Sequence, residues 1–246
     1  MSANVNRIGS KQKRILMVVA SPSTSTTVGG PVGFWASELT HPYYAFTEAG
    51  YAVELASPQG GKVELDAYSD PRHESGYSAD DLISMGFLYT PKLAALLETT
   101  RKLSDVKVAD HDAIVVAGGQ APMFTFREDL TLQKLLRDFY EAEKVTAALC
   151  HGTAALLDVK LSTGRFLIEG KAMTGFANVE EDFVDALYKT KVMPFRIEDE
   201  ARRRGALYAC AGLWKPFALQ DGRLITGQQQ HSGAETARLV IESLGR

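Results

Sequence analysis

Short apolar runs, separated by polar and glycine-rich segments, recur along the chain and predict the strands of a sheet. The runs at 14–21, 112–119 and 145–149 are nearly continuous in apolar residues. Runs of this kind are typical of parallel strands that are buried on both faces. The pattern predicts two further strands at 52–57 and 223–227.

Between these runs, apolar residues recur at helical spacing. Helices are predicted over 34–50, 129–144, 152–159 and 232–244, and broader helical patterns cover 79–106 and 180–205, the second broken near Pro194. Extended structure is predicted at 166–176 and a strand at 206–211. The alternation of strands with helices predicts an α/β fold: a doubly wound, mostly parallel central sheet with helices on both faces.

Two segments fall outside this alternation. Residues 1–13 are polar and basic, and we expect them to form a disordered tail. Residues 60–81 are polar, show little periodicity and are too long for a plain connection, so we expect them to form a lid over the site. Residues 14–246, including this lid, have the length of a single domain.

Composition narrows the classes of function. The net charge is −3 and no basic face is evident, so nucleic acid is not an expected partner. No apolar run approaches the length of a membrane span and no secretory signal is recognised, so a membrane is not expected either. The two cysteines, Cys150 and Cys210, show no metal-binding spacing and predict a reducing, cytoplasmic location. We expect Cys210 to lie in the core and the charged run 198–204 to form a solvated helix face.

Cys150 is the strongest candidate for chemistry. The predicted strand 145–149 ends at this residue, and His151 and Gly152 follow before a predicted helix. A bend between strand and helix exposes a side chain at the edge of the sheet, and the N-terminus of the helix favours a thiolate over a thiol. The alternative, an inert cysteine buried at the end of a strand, stays open at this point.

Other candidates are predicted at the same edge, because ligands of such sheets bind outside the carboxyl ends of the strands. The backbone N–H groups of Gly119 and His151 are candidates for an oxyanion hole. A carboxylate from the acidic run 180–182 is a candidate partner for the His151 ring. Glu38 is a candidate to share a proton with Cys150. The alternatives are that Glu38 is a solvated charge, and that the acidic residues 180–182 only provide the negative charge that a helix N-terminus favours.

Six segments resemble the ThiJ/PfpI family, within the class I glutamine amidotransferase-like superfamily. They are 33–44, 56–61, 116–119, 148–152, 170–176 and 221–228. The Glu-x-x-His-Pro-Tyr-Tyr piece at 38–44 and the Cys-His-Gly piece at 150–152 are most similar to the branch that contains the glutathione-independent glyoxalase III enzymes. The resemblance implies a flavodoxin-like α/β sandwich that is commonly a homodimer and uses neither a cofactor nor a metal.

The resemblance also implies roles for individual residues. It makes Cys150 the nucleophile, His151 its partner, and Glu38 the acid that hydrogen-bonds the thiolate and moves protons. The third member of the triad follows the Thr-Gly-Phe piece at 174–176, and counting from it favours Glu181, with Glu180 next.

The loop after the third predicted strand departs from the branch. Gly118-Gly119-Gln120-Ala121 stands where Gly-Gly-His-Gly is usual, so the wall of the pocket differs. The oxyanion hole implied by the family is formed by the amides of Gly119 and His151. The candidates for substrate contact are His41, Gln120 and Trp35.

Three functions follow as hypotheses. The first is a glyoxalase III-like lyase that converts methylglyoxal-type 2-oxoaldehydes, as small carbonyl substrates, to 2-hydroxy acids without glutathione. The second is another cysteine-dependent hydrolase or hydratase that acts on a C=O or C=N carbon; the adjacent Cys150 and His151 argue against a glutaminase. The third is a redox-sensing stress chaperone or deglycase, in which Glu38 stabilises oxidised Cys150.

Overall fold

The computed structural model describes residues 12–245, which are built around a seven-stranded sheet. The strands, in chain order, are β1 (Arg14–Val18), β2 (Ser23–Thr24), β3 (Pro31–Val32), β4 (Ala52–Ser57), β5 (Arg101–Lys102), β6 (Ala113–Val116), β7 (Val145–Leu149), β8 (Ala172–Met173), β9 (Leu207–Tyr208), β10 (Ala218–Asp221) and β11 (Leu224–Gly227). The order in the main sheet is β10-β11-β7-β6-β1-β4-β5. Adjacent strands in this sheet run parallel to each other, except that β10 pairs antiparallel with β11.

Helices cover both faces of this sheet. They are α1 (Ala36–Glu48), α2 (Leu82–Tyr89), α3 (Pro91–Ala94), α4 (Pro122–Thr125), α5 (Leu130–Glu141), α6 (Asn178–Tyr188), α7 (Ile197–Arg203) and α8 (Gly233–Leu244). Strand β1 explains why two layers form. Ile15 and Met17 belong to the core cluster that includes residues of α1 and α8, whereas Leu16 and Val18 belong to the cluster that includes residues of α5. The predicted doubly wound fold is therefore confirmed.

The strongest sequence patterns agree well with the observed elements. The predicted strands 52–57 and 145–149 coincide with β4 and β7, and the other continuous runs contain β1 and β6. Helix α5 begins where its sequence predicts, because the Asp129 carboxylate accepts hydrogen bonds from the N–H groups of Thr131 and Leu132, both at 2.9 Å.

Some local predictions are wrong. The helix predicted over 152–159 is a 3₁₀ helix that starts at the cysteine, Cys150–Leu156. The Thr153 hydroxyl donates to the Cys150 carbonyl at 2.7 Å within its first turn. The extended segments predicted at 166–176 and 206–211 shrink to the two-residue strands β8 and β9, which pair only with each other. Strand β10 was not predicted, since its half-exposed residues at the sheet edge form no apolar run.

Two predictions about polar residues also need correction. Cys210 follows β9 in a loop and is exposed, so it is not a core residue. The run 198–204 is not simply solvated, because Glu200 is 9% exposed and accepts hydrogen bonds from Arg127 and Arg204. Both arginines also pair with Asp158, which lies just beyond the 3₁₀ helix.

Three further predictions concern the ends and surface of the chain. Most of the predicted tail, residues 1–11, lies outside the described residues. Within 12–245, no helix is long and apolar enough to span a bilayer. The segment 60–81 consists of turns around one short 3₁₀ turn, Ala67–Ser69, and its role as a lid stays a prediction.

Candidate active site

Cys150 stands at the junction between β7 and the 3₁₀ helix, in a backbone conformation that few residues other than glycine adopt. Its φ is +54°, in the left-handed region. The side chain is buried, and the backbone N–H groups of His151 and Gly119 donate hydrogen bonds to its sulfur. The bend therefore directs the thiol towards the two amides that were predicted to form an oxyanion hole.

His151 connects this thiol to a carboxylate. Its Nδ1 lies 3.9 Å from the Cys150 sulfur, and its Nε2 lies 3.2 Å from Oε1 of Glu181. The imidazole ring packs on Phe176 with the ring centroids 4.1 Å apart, which restricts its orientation. The three side chains therefore form a continuous thiol–imidazole–carboxylate chain.

The two adjacent glutamates in the first turn of α6 point to different partners. Glu181 faces His151, whereas Oε1 of Glu180 accepts hydrogen bonds from the Gln228 amide at 2.6 Å and the Trp214 N–H at 3.3 Å. Its Oε2 accepts from the Ala177 N–H at 3.1 Å. The structure therefore brings Glu181, and not Glu180, to the imidazole.

Glu38 reaches the thiol from the first turn of α1 and is fully buried. Its Oε2 accepts a hydrogen bond from the Gly118 N–H at 2.7 Å. Burial raises the pKa of Glu38 to about 8, although hydrogen bonds to Cys150 and Gly118 oppose that rise. Glu38 is therefore largely protonated at neutral pH, and the interpretation of this residue as a solvated charge is wrong.

The Cys150 thiol is affected by the same environment. Burial first, and then the adjacent Glu38 carboxyl, raise the pKa of the thiol well above its ordinary value, whereas the N–H groups of His151 and Gly119 lower it. Forming a thiolate here requires a proton acceptor inside the site. The His151 Nδ1 is the nitrogen in position to accept that proton.

The paired glycines after β6 are required by contacts within the protein. A Cβ on Gly118 would come within 2.7 Å of Glu38 Oε2 and 2.8 Å of the His151 nitrogen. Gly119 has a φ of +102°, and a Cβ there would lie 2.5 Å from the Trp35 nitrogen. The absence of side chains at these two positions lets α1, β6 and the Cys150 bend approach one another.

Asp66 is a site residue that the sequence analysis missed. It is 2% exposed, lines the cavity, and accepts hydrogen bonds from the Gly33 N–H at 2.9 Å and the Gln120 N–H at 2.6 Å. It therefore joins the segment 60–81 to the loops that contain Gly33 and Gln120. Burial raises the pKa of Asp66 to about 6. No motif marks this residue, because its two partners are distant in sequence.

Part of this site opens onto a cavity of about 550 Å³, and the fully buried Glu38 is not among its lining residues. Cys150, His151, Glu181 and Gly119 line it. Among the predicted substrate contacts, Trp35 and Gln120 line the cavity as well, but His41 is not among the described lining residues.

The imidazole of His41 is directed elsewhere: its Nε2 lies 2.8 Å from Oδ1 of Asp81, the residue that caps α2. We therefore leave His41 out of the site. Within residues 12–245, no group of three or more histidine, cysteine or acidic side chains is arranged to hold a metal ion.

Comparison with known proteins identifies the family. The model of the DJ-1/PfpI family matches residues 31–243. The chain belongs to the DJ-1/PfpI family. This membership confirms the resemblance seen in the sequence, and the flavodoxin-like α/β sandwich is the fold of its structural neighbours.

Three similar proteins extend the comparison within the DJ-1/PfpI family. The glutathione-independent glyoxalase HSP31 of Saccharomyces cerevisiae is 31% identical, over 94% of this chain and 98% of that protein. The structure of Rapid Encystment Protein 24 KDa from Francisella tularensis is 32% identical with a TM-score of 0.85, covering 96% of this chain and 100% of the other. Glyoxalase III from Candida albicans is 28% identical with a TM-score of 0.80, covering 94% and 97%.

Proposed function

We propose that this protein is a cysteine-dependent, glyoxalase III-like enzyme that converts methylglyoxal-type 2-oxoaldehydes to 2-hydroxy acids without glutathione. Relatives that are named glutathione-independent glyoxalase, glyoxalase 3 and glyoxalase III support an enzyme of this type. The observation that carries the proposal is the buried Glu38 carboxyl beside the Cys150 thiol. The reaction needs a group that moves a proton between two carbons next to a nucleophile, and this pair supplies both.

In the first half of the proposed mechanism, the thiol proton passes to Nδ1 of His151, and Glu181 stabilises the imidazolium. The thiolate adds to the aldehyde carbon, and the N–H groups of Gly119 and His151 stabilise the oxyanion that forms. Protonated Glu38 then donates its proton to this oxygen. The products of this half are a hemithioacetal and a Glu38 carboxylate.

In the second half, the Glu38 carboxylate removes the hydrogen from the former aldehyde carbon and returns it to the neighbouring carbon, while the hydroxyl proton moves to the second oxygen. The first carbon is thereby oxidised to a thioester and the second reduced to an alcohol. Water attacks the thioester and gives a proton to Glu38. The C–S bond breaks, His151 returns its proton to the sulfur, and the 2-hydroxy acid loses a proton to solvent.

The test is D-lactate formation from methylglyoxal in the absence of glutathione. We expect the purified protein to form D-lactate, Cys150→Ser to form none, and Cys210→Ser to match the native protein, because Cys210 is exposed and does not line the cavity. If the native protein forms no lactate, or if Cys150→Ser retains the activity, the proposed function is wrong. Iodoacetamide labelling of Cys150 would then separate another cysteine chemistry from an unreactive thiol.

The proposal extends to the setting of the reaction. The mechanism uses side chains of this chain and assigns no step to a metal or cofactor. We infer a cytoplasmic homodimer with a small carbonyl compound as its substrate. The cysteine content supports the location, and family resemblance supports the dimer. The net charge of −3 supports the absence of a nucleic-acid partner.

A further inference from the structure

The cavity above Cys150 is larger than methylglyoxal requires. Its volume of about 550 Å³ falls within the range of clefts that enclose drug-sized ligands, about 300–1,000 Å³. The proposed chemistry uses only the two carbonyl carbons, and the single methyl substituent of methylglyoxal would leave most of this space without contacts. The side chains that surround this space therefore indicate which larger substituent the substrate carries.

One wall is built from three aromatic side chains, Trp35, Tyr68 and Tyr77. The Trp35 and Tyr77 rings meet edge to face with centroids 6.0 Å apart, and Tyr68 meets Tyr77 at 6.2 Å. All three line the cavity. Tyr68 and Tyr77 come from the segment 60–81, so this segment supplies apolar contact surface as well as Asp66.

A second aromatic wall comes from the region around α6. Phe176, on which His151 packs, lies 5.9 Å from the Trp214 ring, and Phe183 meets Trp214 edge to face at 5.6 Å. These rings also line the cavity. A planar, apolar group on the substrate would make favourable contacts with these two sets of aromatic rings.

The charges of the lining exclude other kinds of substituent. None of the described lining residues is lysine or arginine, so a phosphate or carboxylate on the substrate would find no cation. The two carboxyl groups in the lining are already engaged. Glu181 pairs with His151, and both oxygens of Asp66 accept backbone hydrogen bonds. A cationic substituent would therefore find no free carboxylate, and a neutral one fits best.

We propose that the substrates of this site are 2-oxoaldehydes that carry a neutral aromatic substituent. The inference rests on the proposed function and specifies its substrate class. The reaction combines an arylglyoxal with one water molecule and yields a 2-hydroxy-2-arylacetate and a proton. The aldehyde carbon is oxidised and the ketone carbon is reduced, so no external oxidant or reductant is needed.

The experiment compares phenylglyoxal with methylglyoxal, without glutathione, by measuring mandelate and lactate. We expect kcat/KM for phenylglyoxal to exceed that for methylglyoxal by about tenfold or more. Tyr77→Ala and Phe183→Ala remove one ring from the first and the second wall, respectively. Their side chains are 60% and 47% exposed, so the variants should fold. We expect each variant to lower the phenylglyoxal-to-methylglyoxal ratio by about threefold to tenfold.

Tyr44→Ala is the matched control, because Tyr44 is an exposed tyrosine on α1 that does not line the cavity. It should leave the ratio unchanged. If lactate forms in a Cys150-dependent reaction and mandelate forms at the same rate or more slowly, the proposed substrate class is wrong. The proposed function is unaffected by that result. An unchanged ratio in both wall variants would also overturn the proposed substrate class. Failure to form lactate would overturn the proposed function itself, whatever the rate of mandelate formation.

Discussion

At the scale of single residues, the protonation of Glu38 decides what the site can do. The residue lies in the first turn of α1 with its carboxyl fully buried against Gly118 and Cys150. An exposed glutamate would be ionised at neutral pH and could act only as a base. Because burial keeps Glu38 protonated, it can first donate a proton to an oxyanion and then act as the base on carbon.

This protonation has a consequence for stability. Burial raises the pKa of Glu38 from 4.5 to about 8, so its contribution to stability is complete below pH 4.5 and is lost as the pH rises through 8. Glu38→Gln removes this dependence. We expect the free energy of unfolding of Glu38→Gln, relative to the native protein, to increase by up to about 1.4 kcal/mol per pH unit between about pH 5 and pH 8.

Urea unfolding across this pH range measures the difference. Glu48→Gln, at an exposed position on the same helix, is the matched control and should differ from the native protein by a constant amount. If the free energy of unfolding of Glu38→Gln differed from that of the native protein by an amount that does not change with pH, the raised pKa of Glu38 would be contradicted.

Asp66 is a positioning residue whose removal should affect turnover. Asp66→Asn replaces one acceptor oxygen by an amino group, so the N–H of either Gly33 or Gln120 loses its partner. We expect a loss of about 1–3 kcal/mol in the free energy of unfolding. We also expect a lower kcat, because Gln120 adjoins the Gly119 amide that contacts the sulfur.

Steady-state kinetics with methylglyoxal separates kcat from KM for this variant. Asp70→Asn provides the comparison, since Asp70 belongs to the same segment but pairs with the exposed Arg72. A native kcat and a native pH profile in Asp66→Asn would show that Asp66 has no positioning role.

At the scale of elements, a network of ion pairs connects α7 to the region of the nucleophile. Glu200 of α7 and Asp158, just beyond the 3₁₀ helix of Cys150, share the guanidinium groups of Arg127 and Arg204. Each arginine therefore contacts two carboxylates in a closed arrangement. The network holds the C-terminal end of the 3₁₀ helix against α7.

Glu200→Gln should weaken this connection, because three arginines, Arg127, Arg203 and Arg204, lose a charged acceptor at a site that is 9% exposed. We expect a decrease of about 1–3 kcal/mol in the free energy of unfolding. Glu235→Gln, which breaks an exposed pair with Arg238, should change it by less than about 1 kcal/mol. Urea unfolding of both variants at one pH makes the comparison, and equal effects would contradict a structural role for the network.

At the scale of the whole molecule, the sheet order brings the site together at one edge. β6 lies between β1 and β7, and Gly119 and Cys150 follow the carboxyl ends of β6 and β7. Helix α1, which follows the loop after β1, supplies Glu38 to the same edge. The site therefore forms only when these parallel strands adopt their observed order.

The oligomeric state is a further prediction at this scale. Helix α2 exposes Leu82, Ile83 and Tyr89, apolar surface that association between two chains would bury. Together with the family resemblance, this leads us to expect a homodimer with twice the 26.8 kDa mass of the chain. Light scattering on a sizing column measures this mass directly. A mass of one chain over a wide concentration range would contradict the prediction.

The sequence by itself determined the elements whose residues face a uniform environment. Strands β6 and β7, and β1 after Arg14, are buried on both faces, so almost all of their residues are apolar and their runs are visible without a structure. Cys150 and His151 are adjacent in the chain, so their shared position at the end of β7 was also predictable. Glu38 was a candidate from the sequence and the family resemblance specified its role, but no local pattern indicates its burial.

Tertiary structure alone decided the remaining features, because they depend on contacts between distant segments. Glu180 and Glu181 are neighbours in one helix turn; counting from the family motif only favoured Glu181, and the packing of α6 is what brings its carboxylate to His151. The two backbone partners of Asp66 become neighbours only in the folded chain, and the aromatic walls assemble in the same way. Local sequence determines which groups are available, whereas packing determines which of them meet.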